Sequence, residues 1–386
     1  MDISFILNQL GEERQHYFNS VSPPIIQSSN FSFDTFAAFK KAMGDELDHH
    51  IYSRGNNPTV EILRKKMAAL EKSEDALICS SGSAAIALAV ISQVKSGDHI
   101  VCVQNPYSWT HKLISKFLVR FGVTHTFVDG RSLKEIEEAI KESTTVLFLE
   151  SPNSLTFELQ DLAACAKLAK AHKLVSIIDN SYCSPYFQNP IELGIDIVVH
   201  SGTKFINGHS DVVNGIICSS KKIIRQIFES EFMTLGAIIS PNDAFLILRG
   251  LRTMPLRMEK SYQTALEVIQ FLKEHPKVSE ILFPMDVDFD QYDLARKQMR
   301  GCAGFFTFAV KAEKIEDMEK FFMSLKRFLL AVSWGGHESL VLPIAALYGI
   351  ENKEDPAVPW NLVRMYIGLE EADFLIDDLR LALDEI

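Results

Sequence analysis

The spacing of apolar residues predicts an alternation of strands and helices through most of the chain. Short runs rich in Val, Ile and Leu recur between stretches whose apolar residues have helical spacing. Strands that are covered on both faces carry such continuous apolar runs, which favours a mostly parallel sheet. The predicted strands are 76–79, 99–103, 123–127, 145–149, 174–178, 195–199 and 213–218.

The pattern changes after the last of these strands. A long helical stretch, roughly 222–275, is followed by short strands that alternate with helices. We therefore expect an α/β fold, in which a mostly parallel sheet is sandwiched by helices, and a smaller C-terminal α+β domain. The strands predicted in that second domain lie near 279–283, 304–310 and 339–342.

Chain length supports a division into parts. A chain of 386 residues is longer than one hydrophobic core usually supports, so a larger and a smaller domain are expected. Residues 1–50 have weak periodicity and contain Pro23-Pro24, which is typical of an arm that packs on another surface, here a neighbouring subunit. We predict the large domain over 51–249 and the C-terminal domain over 250–386.

Composition and charge narrow the class of function. The formal net charge is −11 and the Lys and Arg residues are dispersed, so we do not expect nucleic acid as the main partner. No apolar run is long enough to span a bilayer, and the first residues lack the pattern of a secretory signal. We therefore expect a cytoplasmic protein that acts on a small molecule.

Cysteine usage predicts reduced thiols. The cysteines occur singly in apolar surroundings and without paired spacing, so neither a disulfide framework nor a metal site is expected. The six residues are Cys79, Cys102, Cys165, Cys183, Cys218 and Cys302.

The most informative segment is residues 175–215, VSIIDNSYCSPYFQNPIELGIDIVVHSGTKFINGHSDVVNG. Its first strand ends at Asp179, and its second delivers Ser201, Thr203 and Lys204 to the same edge of the sheet, where open α/β folds bind ligands. Pyridoxal phosphate needs a lysine that forms an imine and a carboxylate that keeps the pyridine nitrogen protonated. Taken singly, such an Asp is usually a helix cap and such a Lys is usually solvated.

The whole segment resembles the Cys/Met-metabolism family of pyridoxal-phosphate enzymes, which includes cystathionine β- and γ-lyases, cystathionine γ-synthase and methionine γ-lyase. The run DN(S)-Y…P…P…G-DIVVHS-TK-GHSD is nearly intact. The resemblance implies an aspartate-aminotransferase-like large domain and a homotetramer built from dimers that share active sites. It also implies that Lys204 is the Schiff-base lysine and catalytic base, and that Asp179 pairs with the pyridine nitrogen.

A phosphate site is predicted at residues 77–91, LICSSGSAAIALAVI, where a strand leads into Ser-Ser-Gly-Ser and a helix. Free amides at the start of a helix bind anions, and Gly82 permits close approach. The alternative is a simple Ser N-cap, which is commoner for an isolated Ser-Gly-Ser. The resemblance implies that Gly82 and Ser83 hold the cofactor phosphate together with the hydroxyls of Ser201 and Thr203.

Residues 52–63, YSRGNNPTVEIL, resemble the Y-x-R-x-x-NPT segment of the same family. On spacing alone, Tyr52 and Arg54 are loop residues before a helix capped near Asn57-Pro58. The resemblance implies instead that both side chains reach the phosphate of a neighbouring subunit, and a guanidinium group suits that role. The active site is then shared between two chains.

An aromatic ring that stacks on the cofactor is implied at Tyr107, in VQNPYSWTHKL, where it takes part in catalysis. The surroundings differ from the family's usual Tyr-Gly-Gly-Thr, because Ser108 and Trp109 replace the glycines. The alternative for Tyr107 is a core aromatic residue after a strand. Residues 150–162, ESPNSLTFELQDL, resemble the Glu-Ser-Pro-x-Ser variant of bacterial cystathionine β-lyases.

Two C-terminal motifs imply a binding site for the substrate α-carboxylate. NLVRMYIGLE (361–370) resembles the family's R-x-x-x-G-x-E run and assigns Arg364 as the bidentate partner of the carboxylate. AVSWGGHESL (331–340) matches the family's Ser-x-Gly-Gly-x-Glu-Ser loop and assigns Ser333 as a second contact. A lone arginine in an amphipathic strand is otherwise a surface residue.

Within the family, we expect β-elimination on cystathionine or a related cysteine conjugate. Val332 stands where γ-synthases and cystathionine γ-lyases usually carry Glu, and Trp334 resembles the Ser-Trp-Gly-Gly loop of certain bacterial β-lyases. Methionine γ-lyase and cystathionine γ-synthase or γ-lyase remain as alternatives.

Two other classes of protein are less consistent with the sequence. A nicotinamide-dependent dehydrogenase lacks support because no G-x-G-x-x-G follows the first strand. A non-catalytic scaffold on the same fold should have lost Lys204, Asp179 or Arg364, yet all three are present. The yellow colour of a bound pyridoxal phosphate would separate these classes.

Overall fold

Seven strands form the larger of two sheets in a computed structural model that describes residues 1–351 and 355–386. The strand order across the sheet is β1-β7-β6-β5-β4-β2-β3. The strands are β1 (Asp75–Cys79), β2 (His99–Val103), β3 (Thr124–Val128), β4 (Thr144–Glu150), β5 (Val175–Asp179), β6 (Ile197–His200) and β7 (Gly215–Ser219).

Most of this sheet is parallel, as the sequence predicts. Strand β7 is antiparallel to both of its neighbours, β1 and β6, while β2 to β6 run parallel to one another. The carboxyl ends of β4, β5 and β6 therefore meet at one edge. Their last residues are Glu150, Asp179 and His200, all of them buried.

Five strands form a second, smaller sheet in the order β10-β11-β12-β9-β8. Its pairs are antiparallel except β10 with β11. This sheet and the helices around it agree with the predicted C-terminal α+β region. Its strands are β8 (Val278–Leu282), β9 (Phe305–Val310), β10 (Leu329–Leu330), β11 (Leu340–Pro343) and β12 (Leu362–Tyr366).

Helices cover both sheets. Among the described residues, none of them is long and apolar enough to cross a membrane. Their bounds are α1 (Ile3–Asn8), α2 (Phe36–Met43), α3 (Pro58–Glu71), α4 (Gly82–Ile91), α5 (Ser108–Lys112), α6 (Leu133–Glu138), α7 (Leu162–Ala171), α8 (Ser184–Phe187), α9 (Lys221–Ile227), α10 (Met233–Leu235), α11 (Pro241–Leu251), α12 (Met254–Glu274), α13 (Tyr292–Gln298), α14 (Ile315–Ser324) and α15 (Ala372–Asp384).

The predicted long helical stretch over 222–275 is divided in the structure into α9, α10, α11 and α12. Gly236 ends α10 with a φ of +65°, a conformation that glycine adopts without strain. The Ser240 hydroxyl then caps α11 by accepting a hydrogen bond from the Asp243 amide, and Pro241 occupies the first turn. The helical spacing of apolar residues continues on both sides of these interruptions. The hydrophobic pattern alone therefore predicts one continuous helical stretch.

The six cysteines are free and buried, as predicted. They lie in the hydrophobic core among the apolar side chains of the strands, and burial raises the pKa of thiols such as Cys79 and Cys102. These thiols are therefore held in the neutral form and serve as packing groups.

The N-terminal segment is attached to the body of its own chain at several places, two of which lie near its start and its middle. The buried amine of Lys66 donates hydrogen bonds to the carbonyls of Ile6 and Leu7, at 2.8 and 3.1 Å. Further along, the Thr59 hydroxyl donates to the Pro24 carbonyl and accepts from the Ile26 amide, at 3.0 and 2.9 Å.

Between and beyond these attachments the N-terminal segment is largely exposed. Its exposed apolar side chains include Phe18, Val21, Phe36 and Phe39. Contact of this segment with a neighbouring subunit stays a prediction.

Candidate active site

The amine of Lys204 is the centre of the candidate site. Lys204 follows β6, and its Nζ donates a 2.6 Å hydrogen bond to the hydroxyl of Ser333, in the loop between β10 and β11. The two residues that the sequence assigns to imine formation and to the substrate carboxylate are thus in contact.

Backbone contact brings the Ser333 loop against Lys204. A Cβ atom on Gly335 would lie 2.8 Å from the Phe205 nitrogen and 3.0 Å from the Lys204 Cα, and its φ is +87°. Only glycine fits this approach without displacing the lysine. Ser333 also has a positive φ of 80°, an uncommon conformation for a residue with a side chain.

The surroundings of Lys204 favour a neutral amine. Burial, and next the positive charge of Arg364, lower its pKa to about 8, while the negative charge of Asp179 opposes the shift. The unprotonated fraction of the amine near neutral pH is therefore much larger than for an ordinary lysine, and this neutral form can act as a nucleophile or a base.

Asp179 is held at the end of β5 with one oxygen engaged. Its Oδ1 accepts hydrogen bonds from the Ser181 amide and hydroxyl, at 2.9 and 2.6 Å. Among the described residues, Oδ2 has no hydrogen-bond partner. Burial raises the pKa of Asp179, whereas the Ser181 donors, His200 and Lys204 oppose that shift. The free oxygen suits a protonated ring nitrogen.

Free backbone amides at the start of α4 could hold an anion. The Ser81 hydroxyl accepts from the Ala84 amide at 3.0 Å, so the N-cap alternative is also realised. The amides of Gly82 and Ser83 have no partner within the described ranges. A Cβ on Gly82 would lie 2.8 Å from the Ser201 Cβ, so glycine allows the two segments to meet.

The neighbouring hydroxyls differ in their bonding. The Thr203 hydroxyl donates to the Asn214 carbonyl at 3.2 Å and accepts from its amide at 3.0 Å, so it is already used within the fold. The Ser201 hydroxyl makes no hydrogen bond to any described residue. Ser201 is therefore the more available of the two predicted phosphate ligands.

Tyr107 is placed at the site by a residue that the sequence reading did not select. Its backbone amide donates a 2.6 Å hydrogen bond to Oε2 of Glu150, the last residue of β4. The Tyr107 ring is partly exposed, which fits a surface that stacks on a ligand better than a core aromatic residue.

Arg364 lies in the middle of β12 and is not a surface residue. Its Nη1 donates to the Ser154 carbonyl at 3.3 Å, and its guanidinium carbon lies 5.3 Å from the centre of the Phe305 ring. Burial lowers the pKa of Arg364 to about 10, so the group remains charged at neutral pH. A buried cation with an incomplete set of partners suits a carboxylate ligand.

Two aromatic rings lie beside the Lys204 amine and the Arg364 guanidinium. Phe305 stacks on Trp334 at a centroid distance of 4.8 Å, and the Lys204 amine lies 5.5 Å from the Trp334 centroid. The sequence reading noted Trp334 only as a subgroup marker and missed Phe305. The Phe-Phe pair that opens β9 gives no signal of this role until its strand is placed beside β12.

Tyr52 and Arg54 are not brought to the rest of the site within one chain. Both are exposed, and the Arg54 guanidinium carbon lies 5.5 Å from the Tyr52 ring centre. Neither side chain hydrogen-bonds to Gly82, Ser83 or Ser201 in the described part of the chain. Val332, beside Ser333, is 74% exposed at the mouth of the site.

The sequence matches a family model over residues 6–384. That model describes the Cys/Met metabolism enzymes that depend on pyridoxal phosphate. The match includes all of the motifs described above.

Two relatives and one solved structure are similar to almost the whole chain. The L-methionine gamma-lyase of Treponema denticola is 38% identical over 376 residues, which is 96% of this chain and 94% of the relative. The cystathionine gamma-lyase of Bacillus subtilis is 34% identical and covers 95% of both chains. The crystal structure of metB from Corynebacterium glutamicum has a TM-score of 0.92 at 32% identity, covering 100% of this chain and 98% of that one.

Proposed function

The chain belongs to the Cys/Met metabolism family of pyridoxal-phosphate-dependent enzymes, and from this premise we propose that it breaks the carbon–sulfur bond of an S-alkyl amino acid such as methionine. The observation that carries the proposal is the convergence of Lys204, Asp179, Ser333 and Arg364 on one site. Dependence on pyridoxal 5'-phosphate and membership of the trans-sulfuration lyases follow from the family.

The residues of the site fit this cofactor. The free amides of Gly82 and Ser83 and the hydroxyl of Ser201 supply donors for its phosphate, and the free oxygen of Asp179 accepts from its ring nitrogen. The Tyr107 ring offers a stacking surface. When bound, pyridoxal phosphate supplies an electron sink for the electrons of a bond broken at the substrate α-carbon.

The protein side chains then position the substrate and move protons. Arg364 binds the α-carboxylate, because its buried guanidinium lacks a carboxylate partner among the described residues. Lys204 would remove the α-proton of the substrate, and its lowered pKa suits a general base. Ser333 holds the lysine amine on the C-terminal side of the site.

The apolar mouth of the site supports a substrate without a charge at its far end. Val332 offers no partner for a distal ammonium or carboxylate group, whereas the thioether end of methionine needs none. The names of the relatives, methionine and cystathionine gamma-lyases, support cleavage at the γ-carbon. Methionine and water would then yield methanethiol, ammonia and 2-oxobutyrate.

The second candidate is β-elimination on cystathionine, which the loop 331–340 favours. Val332 stands where γ-synthases and cystathionine γ-lyases usually carry Glu, Trp334 resembles certain bacterial β-lyases, and β-elimination would need only removal of the α-proton by Lys204. Cystathionine and water would then yield homocysteine, ammonia and pyruvate.

One experiment separates the candidates. The purified enzyme, loaded with pyridoxal phosphate, is incubated with L-methionine or L-cystathionine, and the oxoacids are separated by chromatography. Release of 2-oxobutyrate from methionine supports the first candidate, and release of pyruvate from cystathionine supports the second. If neither 2-oxobutyrate nor pyruvate is released from either substrate, the carbon–sulfur lyase proposal is contradicted. Lys204→Ala protein, treated identically, is the control.

We also propose that the active enzyme is a homotetramer made of dimers that share active sites, and that it is cytoplasmic. Exposed Tyr52 and Arg54, with an exposed guanidinium that lacks an ionic partner in the described chain, support a phosphate contact in a neighbouring subunit. The exposed apolar side chains of Phe18 and Phe36 support the N-terminal segment as part of that interface.

A further inference from the structure

A second buried carboxyl group lies beside Asp179. Glu150 ends β4 and pairs in register with Asp179, the last residue of the adjacent parallel strand β5. In-register residues on neighbouring strands project to the same face of a sheet. Glu150 is 5% exposed and Asp179 is 7% exposed, so both carboxyl groups are removed from water at the edge where the cofactor is proposed to bind.

Glu150 is connected to two further parts of the site. Its Oε2 accepts the amide hydrogen of Tyr107 at 2.6 Å. The Ser154 amide also acts on this carboxyl group and partly opposes the rise in its pKa that burial causes, and the Ser154 carbonyl accepts a hydrogen bond from Arg364. One side chain thus lies next to the segments that carry the stacking ring, the ring-nitrogen partner and the carboxylate ligand.

We propose that Glu150 is a positioning residue whose uncharged carboxyl group fixes the Tyr107 segment against Asp179, while the single negative charge of the carboxyl pair stays on Asp179. Glu150 itself takes no part in bond breaking. The inference rests on the proposed assignment of Lys204 and Asp179, and it concerns how that site is kept in its working geometry and charge state.

The distribution of donors around the two carboxyl groups places the charge on Asp179. Asp179 receives two hydrogen bonds from Ser181 and lies near His200 and Lys204, and all three oppose the rise in its pKa that burial causes. Glu150 receives only amide donors, and burial and the neighbouring Asp179 raise its pKa well above the ordinary range. Two adjacent buried carboxyl groups seldom both ionise.

Other acidic groups reinforce this arrangement. Asp129 and Glu158 line, together with Glu150, a small cavity of about 10 Å³, which is room for one water molecule. Arg131 is bound to Asp129 and Asn153 donates to Glu158, so neither donor is directed to Glu150. A charge on Glu150 would therefore face other acidic groups, and no cation among the described residues forms an ion pair with it.

Paired substitutions test the positioning role. Glu150→Gln keeps the shape and the acceptor oxygen, so the dissociation constant of pyridoxal phosphate should stay within about threefold of the wild-type value. Glu150→Ala removes the acceptor, and that constant should rise at least about tenfold, with a weaker visible circular dichroism of the bound cofactor. If both variants lose cofactor affinity to the same extent, or if neither variant loses it, the proposal is overturned.

Infrared spectra of the apoenzyme test the charge state without cofactor or turnover. Glu150→Gln should remove one band of a protonated carboxyl group near neutral pH. If it instead removes a carboxylate band, Glu150 is ionised and the proposal is wrong. This measurement also keeps the proposal testable if the alanine variant does not fold.

A matched control comes from the C-terminal domain. Asp378 is also a buried carboxylate that accepts backbone amides, those of Lys326 and Arg327, but it lies in α15 away from the site. Asp378→Ala should lower the melting temperature and leave the cofactor affinity of the folded protein unchanged. Failure of the proposed function gives a different result. If Lys204 does not hold the cofactor, Lys204→Ala protein retains the borohydride-sensitive band, regardless of the results for the Glu150 variants.

Discussion

The amine of Lys204 and the hydroxyl of Ser333 are 2.6 Å apart, although 129 residues separate them in the chain. The lysine belongs to the end of the large sheet, and the serine precedes strand β11 of the small one. The contact therefore completes the candidate site across the two sheets, and each domain alone would lack part of it.

Replacing Lys204 should abolish the enzyme. Lys204→Ala removes the only amine placed to form an imine at this edge in the described chain, so turnover and the visible band that borohydride bleaches should both be lost. The absorbance spectrum and an oxoacid assay check this. Lys221→Ala, at an exposed lysine, should leave both unchanged. Retention of the band in Lys204→Ala would refute the assignment.

The lowered pKa of Lys204 predicts how cofactor loading depends on pH. Only the neutral amine attacks pyridoxal phosphate, so the rate of reconstitution of the apoenzyme should rise with pH and level off above about 8. Arg364→Ala removes a neighbouring positive charge. Because that charge disfavours the ammonium form of Lys204, its removal should move the midpoint of the curve to higher pH. Stopped-flow absorbance measures both curves. A midpoint near the ordinary lysine value in the wild type contradicts the prediction.

Asp179 is expected to keep the pyridine nitrogen protonated. Asp179→Asn retains the shape but removes the charge, and should lower kcat at least about a hundredfold through loss of electron-sink character. Steady-state kinetics with saturating cofactor separate this from weaker binding. A nearly normal kcat would show that the carboxylate is structural.

Shared active sites predict complementation between two inactive variants. Arg54→Ala and Lys204→Ala chains, mixed and reassembled, should regain about a quarter of the wild-type activity, because half of the dimers are hybrids with one intact site. The oxoacid assay on refolded mixtures measures this. Each variant refolded alone is the control. No recovery in oligomers shown to be mixed contradicts a site built from two chains.

The strands of the large domain could be predicted from the sequence within about two residues because their burial on both faces imposes uninterrupted apolar runs. The division of the stretch 222–275 could not, since Gly236 and the Ser240 cap interrupt a periodicity that continues on either side. Strand order was equally inaccessible, because a side-chain pattern does not say which strand pairs with which.

Only some residues of the candidate site could likewise be predicted from the sequence. Lys204, Asp179 and Arg364 stand in long motifs, so their resemblance to a family assigns them without any contact being known. Glu150 gives no comparable signal: its importance depends on β4 lying beside β5 and on the Tyr107 amide reaching it. The roles of Trp334 and Phe305 are likewise recognised only when their stacked rings are seen beside Lys204 and Arg364.

The N-terminal segment is fastened to its own chain at Ile6 and Leu7 by Lys66, and again at Pro24 and Ile26 by Thr59. A free tail would lose most of its conformational entropy on docking against another molecule, whereas a segment tied to its own chain has already lost much of it during folding. The proposed assembly through this segment would therefore begin from a preorganised surface, and its free energy would be drawn mainly from the apolar area that Phe18 and Phe36 would remove from water.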